Sequence, residues 1–214
     1  MTYPIDIHTH RSPAIRGQAI ESCLPDAFHP QSEGWYSAGI HPWHLHRYAW
    51  DTEAFRSSFE ELLRHPQILA IGEAGLDKLI PTPLTLQMEV FRYQAILANA
   101  ISKPLIIHVV KAADELLALR KELKPSVPWI IHGFRGKTTQ AESYLRHGFY
   151  LSFGEKYNEE TLRQVPIGNL FIETDESPAT IHNLYERAAR VRNISSNFLK
   201  ESVLQNIRQV FFSR

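Results

Sequence analysis

The chain is 214 residues long, with 43% hydrophobic and 21% charged residues and no apolar run near the roughly 20 residues of a membrane-spanning helix, which excludes a disordered segment and a membrane protein. Lys and Arg balance Asp and Glu to a formal net charge of zero, so no global field draws the chain onto nucleic acid and any phosphate substrate must be held locally. Cys23 is the single cysteine, which excludes an intrachain disulfide, while 11 histidines are a high count for so short a chain.

Seven short segments rich in β-branched or aromatic residues read as buried strands, at 3–10, 35–40, 68–73, 105–109, 129–132, 150–153 and 170–173, with Gln18 to Cys23 as an eighth. The gaps between most of them carry helical periodicity. After the third strand, Met88, Phe91, Ala95, Ala98 and Ile101 recur at three- and four-residue spacing. Near the end of the chain, Leu199, Val203, Ile207 and Val210 share one face behind a cap at Ser195, Ser196 or Asn197. Strands alternating with helices predict parallel βα units, and seven or eight of them fit a TIM-like (β/α) barrel better than an open sheet. The stretch from His10 to Trp35 is too short for a full unit, so an early βα unit is expected to be abbreviated. With no linker or repeat in view, residues 1–214 are expected to form a single domain. No basic segment followed by an apolar core opens the chain, so a cytoplasmic location is expected, and nothing asks for an obligatory protein partner.

In a strand, His8 and His10 of Asp6-Ile7-His8-Thr9-His10 project to one side, and Asp6 points the same way one pleat back, where it could accept a ring N–H and fix a tautomer. A parallel barrel opens its functional residues on the face where the strands end. Those ends carry His8 and His10, His41, Glu73, His108, His132 and Asp175. One such residue is ordinary, but the same types at nearly every strand end predict a clustered metal site. Several imidazoles with two carboxylates suit Zn, Mn, Co or Ni better than Ca, and a bridging Glu73 would allow two ions. One division places His8, His10, Glu73 and Asp175 around one ion and Glu73, His108 and His132 around the other. Asp175 would then orient or deprotonate a water. A helix-start cap is the other reading of Glu173-Thr174-Asp175.

These segments, together with Gly39-Ile40-His41-Pro42, Gly72-Glu73-Ala74-Gly75-Leu76-Asp77, Gln87 with Phe91 and Gln94, His132-Gly133-Phe134-Arg135-Gly136 and Ser152-Phe153-Gly154, resemble the TatD family of metal-dependent deoxyribonucleases in content and order. The resemblance implies a TIM-like barrel hydrolysing DNA phosphodiesters with one or two divalent ions (Zn, Mn, Mg, Co or Ni). It implies His8, His10, Glu73, His108, His132 and Asp175 as ligands, His41 as a residue that contacts phosphate or protonates the leaving oxygen, and Asp77 as a supporting position. Where the family often has an arginine two residues after the fourth-strand histidine, this chain has Val110 followed by Lys111. Lys111 and Arg135, with Lys78 and Lys156, are the candidates to contact phosphate in its place, and Trp43, Phe134 and Tyr157 are placed to stack on bases. The expected partner is DNA or another phosphate ester. The same donors could serve a small-molecule hydrolase of amides, lactones or phosphate esters, or a metal-stabilised scaffold without turnover, and the intact Asp175 and His41 argue against the scaffold.

Overall fold

A computed structural model describes residues 3–213. Eight strands form one sheet, each parallel to the next: β1 Asp6–Thr9, β2 Ala19–Cys23, β3 Trp35–Ala38, β4 Ile68–Asp77, β5 Leu105–Val110, β6 Trp129–Ile131, β7 Phe149–Phe153 and β8 Leu170–Ile172. The last strand returns to the first through a parallel bridge between Thr9 and Asp175, where the Asp175 N–H donates to the His8 carbonyl at 2.9 Å and the His10 N–H to the Asp175 carbonyl at 3.2 Å. Strands β6 and β8 are continuous apolar runs and β5 nearly so, as covering both faces requires, and all of β4 is buried.

Helices cover the outside: α1 Glu53–Leu63, α2 Leu84–Ala100, α3 Ala113–Leu123, α4 Thr138–Arg146, α5 Glu159–Gln164, α6 Ile181–Arg192 and α7 Ser196–Ile207. The predicted period in α2 buries Phe91, Ala95 and Ala98, and α7 buries Leu199, Val203 and Ile207 behind Ser195, whose hydroxyl accepts the Phe198 N–H at 3.1 Å. The eighth strand expected from Gln18 to Cys23 is β2. The abbreviation is larger than one unit: among the described residues, the β1–β2 connection has no helix and the β2–β3 connection only the single 3-10 turn Pro25–Ala27. None of the described helices is long and apolar enough to cross a membrane.

Strand β4 runs four residues past its predicted end at Glu73, and two features carry it there. Gly75 stands opposite His108 of β5, and a Cβ at that position would collide with the His108 backbone carbonyl, so only glycine permits the approach. The buried Gln87 of α2 accepts the Asp77 N–H at 2.7 Å and donates to the Asp77 carbonyl at 2.9 Å, standing in for a missing neighbour strand. Gln94, two turns further along the same face of α2, does the same just past the end of β3, accepting the Ile40 N–H at 2.7 Å and donating to its carbonyl at 3.1 Å. The two glutamines thereby fix the backbone beside His41 and Asp77.

Replacing Gln94 by Leu keeps its volume but strands the Ile40 N–H and carbonyl in the core. The Gln94→Leu protein is expected to lose about 2–4 kcal/mol of stability, read from a denaturant titration.

Candidate metal centre

Glu73 lies inside the mouth of the barrel at 5% exposure, and among the described residues five imidazoles converge on it. Its Oε2 faces His8 Nε2 at 3.3 Å and His10 Nε2 at 3.2 Å, both from the end of β1. Its Oε1 faces His132 Nε2 at 2.8 Å, His108 Nδ1 at 2.9 Å and His41 Nε2 at 3.0 Å. Asp175 joins the first group, with Oδ1 at 3.7 Å from His8 Nε2 and 3.6 Å from His10 Nε2. Three sets of donor atoms lie within 4.8 Å of one another and could hold a cation: His8, His10 and Glu73; His8, His132 and Asp175; and His41, Glu73 and His108. Both ring nitrogens of the fully buried His8 lack a hydrogen-bond partner, although Nε2 lies 3.3 Å from a Glu73 oxygen and 3.7 Å from an Asp175 oxygen. An unpaired buried nitrogen among carboxylate oxygens fits a ligand set that shares a cation.

A second layer aims the rings. Glu173, fully buried, accepts from His132 Nδ1 at 3.3 Å and from the Gly133 N–H at 2.6 Å, which leaves His132 Nε2 turned to Glu73. Asp77 faces His108 Nε2 at 3.4 Å and so turns Nδ1 inward. Asp6 does not do this for the first strand as the pleat suggested. Its Oδ1 takes the backbone N–H groups of His8 (3.2 Å) and Thr174 (3.1 Å), and its Oδ2 takes the Thr174 hydroxyl at 2.7 Å, so it ties β1 to the segment after β8 rather than orienting an imidazole. Sequence reasoning missed Glu173 as a ring partner, although it stands two residues before Asp175 just as His8 stands two before His10.

The charges follow from this packing. Burial opposes ionisation of Glu73, yet the neighbouring His132 and the hydrogen bonds from His10, His108 and His132 hold its carboxyl well below the ordinary range. His10 is raised, first by its hydrogen bond to Glu73. His132 is raised well above the ordinary imidazole value because Glu73 and Glu173 outweigh burial. His41 is lowered, because burial outweighs its contact with Glu73. Burial pushes Asp6 up to about 7 despite its hydrogen bonds.

Around the cluster opens a cavity of about 800 Å³, lined by His10, His41, Trp43, His108, His132 and Asp175 among others, with Lys111 and Arg135 as exposed cations on its wall. Of the other proposed phosphate contacts, Lys78 is paired with Glu115 at 2.7 Å and Lys156 lines a separate side cleft. Phe134 is 4% exposed and packs against Tyr144 and Phe153, and Tyr157 lines a groove with Arg187 and Arg190, so neither offers a free ring face to the main cavity. Trp43, 52% exposed, does.

A closed parallel barrel with imidazoles and carboxylates gathered where its strands end defines a metal-dependent hydrolase. The profile of the TatD related DNase family matches residues 26–212, and the chain belongs to that family. It is 29% identical to the 3'-5' ssDNA/RNA exonuclease TatD of Edwardsiella piscicida, over 83% of this chain and 77% of the relative. It is also 29% identical to the uncharacterized metal-dependent hydrolase YabD of Bacillus subtilis, over 75% and 71%. Among solved structures, the TatD homolog YjjV from Escherichia coli K12 shares the fold with a TM-score of 0.81 at 18% identity, covering 98% of both chains.

Two outcomes are expected. Glu173→Gln removes the charge behind His132 and should weaken divalent-ion affinity about 10- to 100-fold in a calorimetric titration. In chelator-treated protein, the contribution of Glu73 is present above its unfolded value near 4.5 and lost as pH falls through the depressed folded value. The contributions of His10 and His132 are full below 6.5 and lost as pH rises through their raised folded values, while His41 acts oppositely. Asp6 destabilises progressively as pH rises from its ordinary 3.8 to about 7 and adds no further change above that, so the melting temperature without metal should keep falling past 7 only through the protons lost by His10 and His132. Added divalent ion should restore it.

Proposed function

We propose that this protein is a divalent-metal phosphodiesterase that removes nucleotides from the 3' ends of single-stranded nucleic acid, with residues 1–214 acting as one hydrolase domain. The observation that carries the reading is Glu73, whose two oxygens each face a different set of imidazoles. His8, His10, Asp175 and Glu73 would hold one ion, and Glu73, His108 and His132 a second. When bound, such ions polarise a phosphoryl oxygen and acidify a water; Zn, Mn, Co and Ni suit the imidazole-rich donors, while Mg would lean on the carboxylates of Glu73 and Asp175.

The remaining work falls to the chain's own side chains. Asp175 is 25% exposed toward the cavity, with its backbone locked into the seam between β8 and β1, so its carboxylate is fixed where it can take a proton from the attacking water. His41 accepts the Trp43 N–H at Nδ1 (3.2 Å) and therefore carries its own proton on Nε2. That N–H donates to Glu73 Oε1 at 3.0 Å, and were ions to take up the Glu73 oxygens it would turn to a phosphoryl oxygen; burial keeps this ring neutral, which suits such donation better than transfer of the proton to a leaving group. Lys111 and Arg135 supply the exposed positive charge for the next phosphate along the strand.

A recessed cluster favours a frayed or single-stranded end, because a phosphate in a regular duplex cannot reach Glu73 at 5% exposure without distortion. The relatives named as 3'-5' exonucleases support the polarity.

The test is a 5'-labelled single-stranded DNA or RNA incubated with the Mn- or Mg-loaded protein. A ladder shortening from the 3' end is expected. Asp175→Asn should lower kcat about 10²- to 10⁴-fold while the protein still binds metal. Metal-loaded protein that leaves both strands intact but hydrolyses a model amide or lactone would overturn the reading in favour of a small-molecule hydrolase.

A further inference from the structure

Trp43 combines two properties that rarely meet. It is 52% exposed, yet its indole is not free to swing. The indole N–H donates to Asp77 Oδ2 at 2.8 Å, and the ring meets His41 edge-on, with centroids 5.0 Å apart and planes at 86°. It also stands 5.9 Å from the His108 ring at 78°. The other oxygen of the same carboxylate, Asp77 Oδ1, accepts the Leu79 N–H at 2.8 Å, and Leu79 is 71% exposed. One carboxylate at the end of β4 thus holds two of the most exposed large apolar residues of the chain, and its Oδ2 also faces His108 Nε2. Trp43 lines the same cavity as the cluster, two residues after His41.

A large exposed apolar surface has a solvation cost, and a ring pinned at a cavity wall forfeits the side-chain entropy that usually accompanies exposure. Pinning a ring in advance lowers the entropic cost of stacking something on it. The ligand chemistry is set by the surroundings: a flat, weakly polar ring and, lining the same cavity, the cations Lys111 and Arg135 with the Glu73 cluster. A nucleobase joined to a phosphodiester has both parts.

We propose that Trp43 is the platform on which the base of the terminal nucleotide stacks, with Asp77 as the positioning residue that locks the indole and the Leu79 backbone beside the His108 ring. This rests on the phosphodiesterase reading for the phosphate but concerns the base alone. Because every base presents a π-face, the platform accepts all four and gives little sequence preference.

The experiment pairs Trp43→Ala and Trp43→Phe with two substrates: a single strand ending in an ordinary nucleotide, and one ending in an abasic site. Trp43→Ala is expected to raise KM about 5- to 150-fold on the ordinary end with a smaller change in kcat, and to leave the abasic end unaffected. Trp43→Phe should recover part of the loss. Independently of turnover, thymidine 5'-monophosphate added to the chelator-treated protein should quench tryptophan fluorescence. Deoxyribose 5-phosphate should not quench it, and the nucleotide effect should vanish in Trp43→Phe. Equal KM changes on both ends, or quenching that persists in Trp43→Phe, would overturn the platform. Quenching by the nucleotide without strand cleavage would keep the platform and refute the phosphodiesterase reading instead. Trp43 lies on the surface of a 3-10 turn, and unchanged melting temperatures would show that the variants fold.

Discussion

A single carboxylate organises this protein. Glu73 is buried where an isolated charge would be strongly disfavoured, and it remains ionised only because imidazoles surround it on both oxygens. Those imidazoles come from the ends of β1, β3, β5 and β6, so the charge can be satisfied only when strands from half the barrel are in register. The requirement runs the other way as well. Histidines packed this closely would repel one another when protonated, so either the carboxylate between them offsets their charge or, with a cation bound, they stand neutral.

The outer layer explains why the inner one is precise. Gln94 holds the backbone before His41, Gln87 holds the backbone of Asp77, Asp77 turns His108, and Glu173 turns His132. Helix α2 supplies both glutamines, so one helix on the outside of the barrel sets the positions of two side chains inside its mouth. Asp77 carries this outward again, because the carboxylate that turns His108 also clamps the rim at Trp43 and Leu79. Rigid support of this kind is what a site needs if its groups are to be placed before substrate arrives.

Much of this was legible in the sequence, for a physical reason. Parallel strands buried on both faces leave an unmistakable apolar run, and a polar donor at its end can point only into the mouth or into the loops. His8, His10, His41, Glu73, His108, His132 and Asp175 are therefore readable as one cluster from the sequence. What was not readable depends on partners rather than on residue type. Asp6 and Glu173 are both acidic residues at strand ends, but Thr174 draws Asp6 onto backbone while His132 claims Glu173. Lys78 and Lys111 are alike in residue type, but Glu115 pairs with Lys78 alone. The missing helices around β2 were visible only as a shortage of residues, because length limits what a connection can be without saying what replaces it.

The seam of the barrel gives the site a mechanical character. β8 and β1 meet through the bridge at Thr9 and Asp175, and the residues flanking that bridge, His8, His10 and Asp175, are also those whose side chains face one another across it. Any breathing of the cylinder that parts these two staves also pulls the donor atoms apart. A cation gripped between them would act as a rivet through the joint, so its arrival would damp amide exchange along the seam and its loss would let the cylinder spring open at this edge before any other.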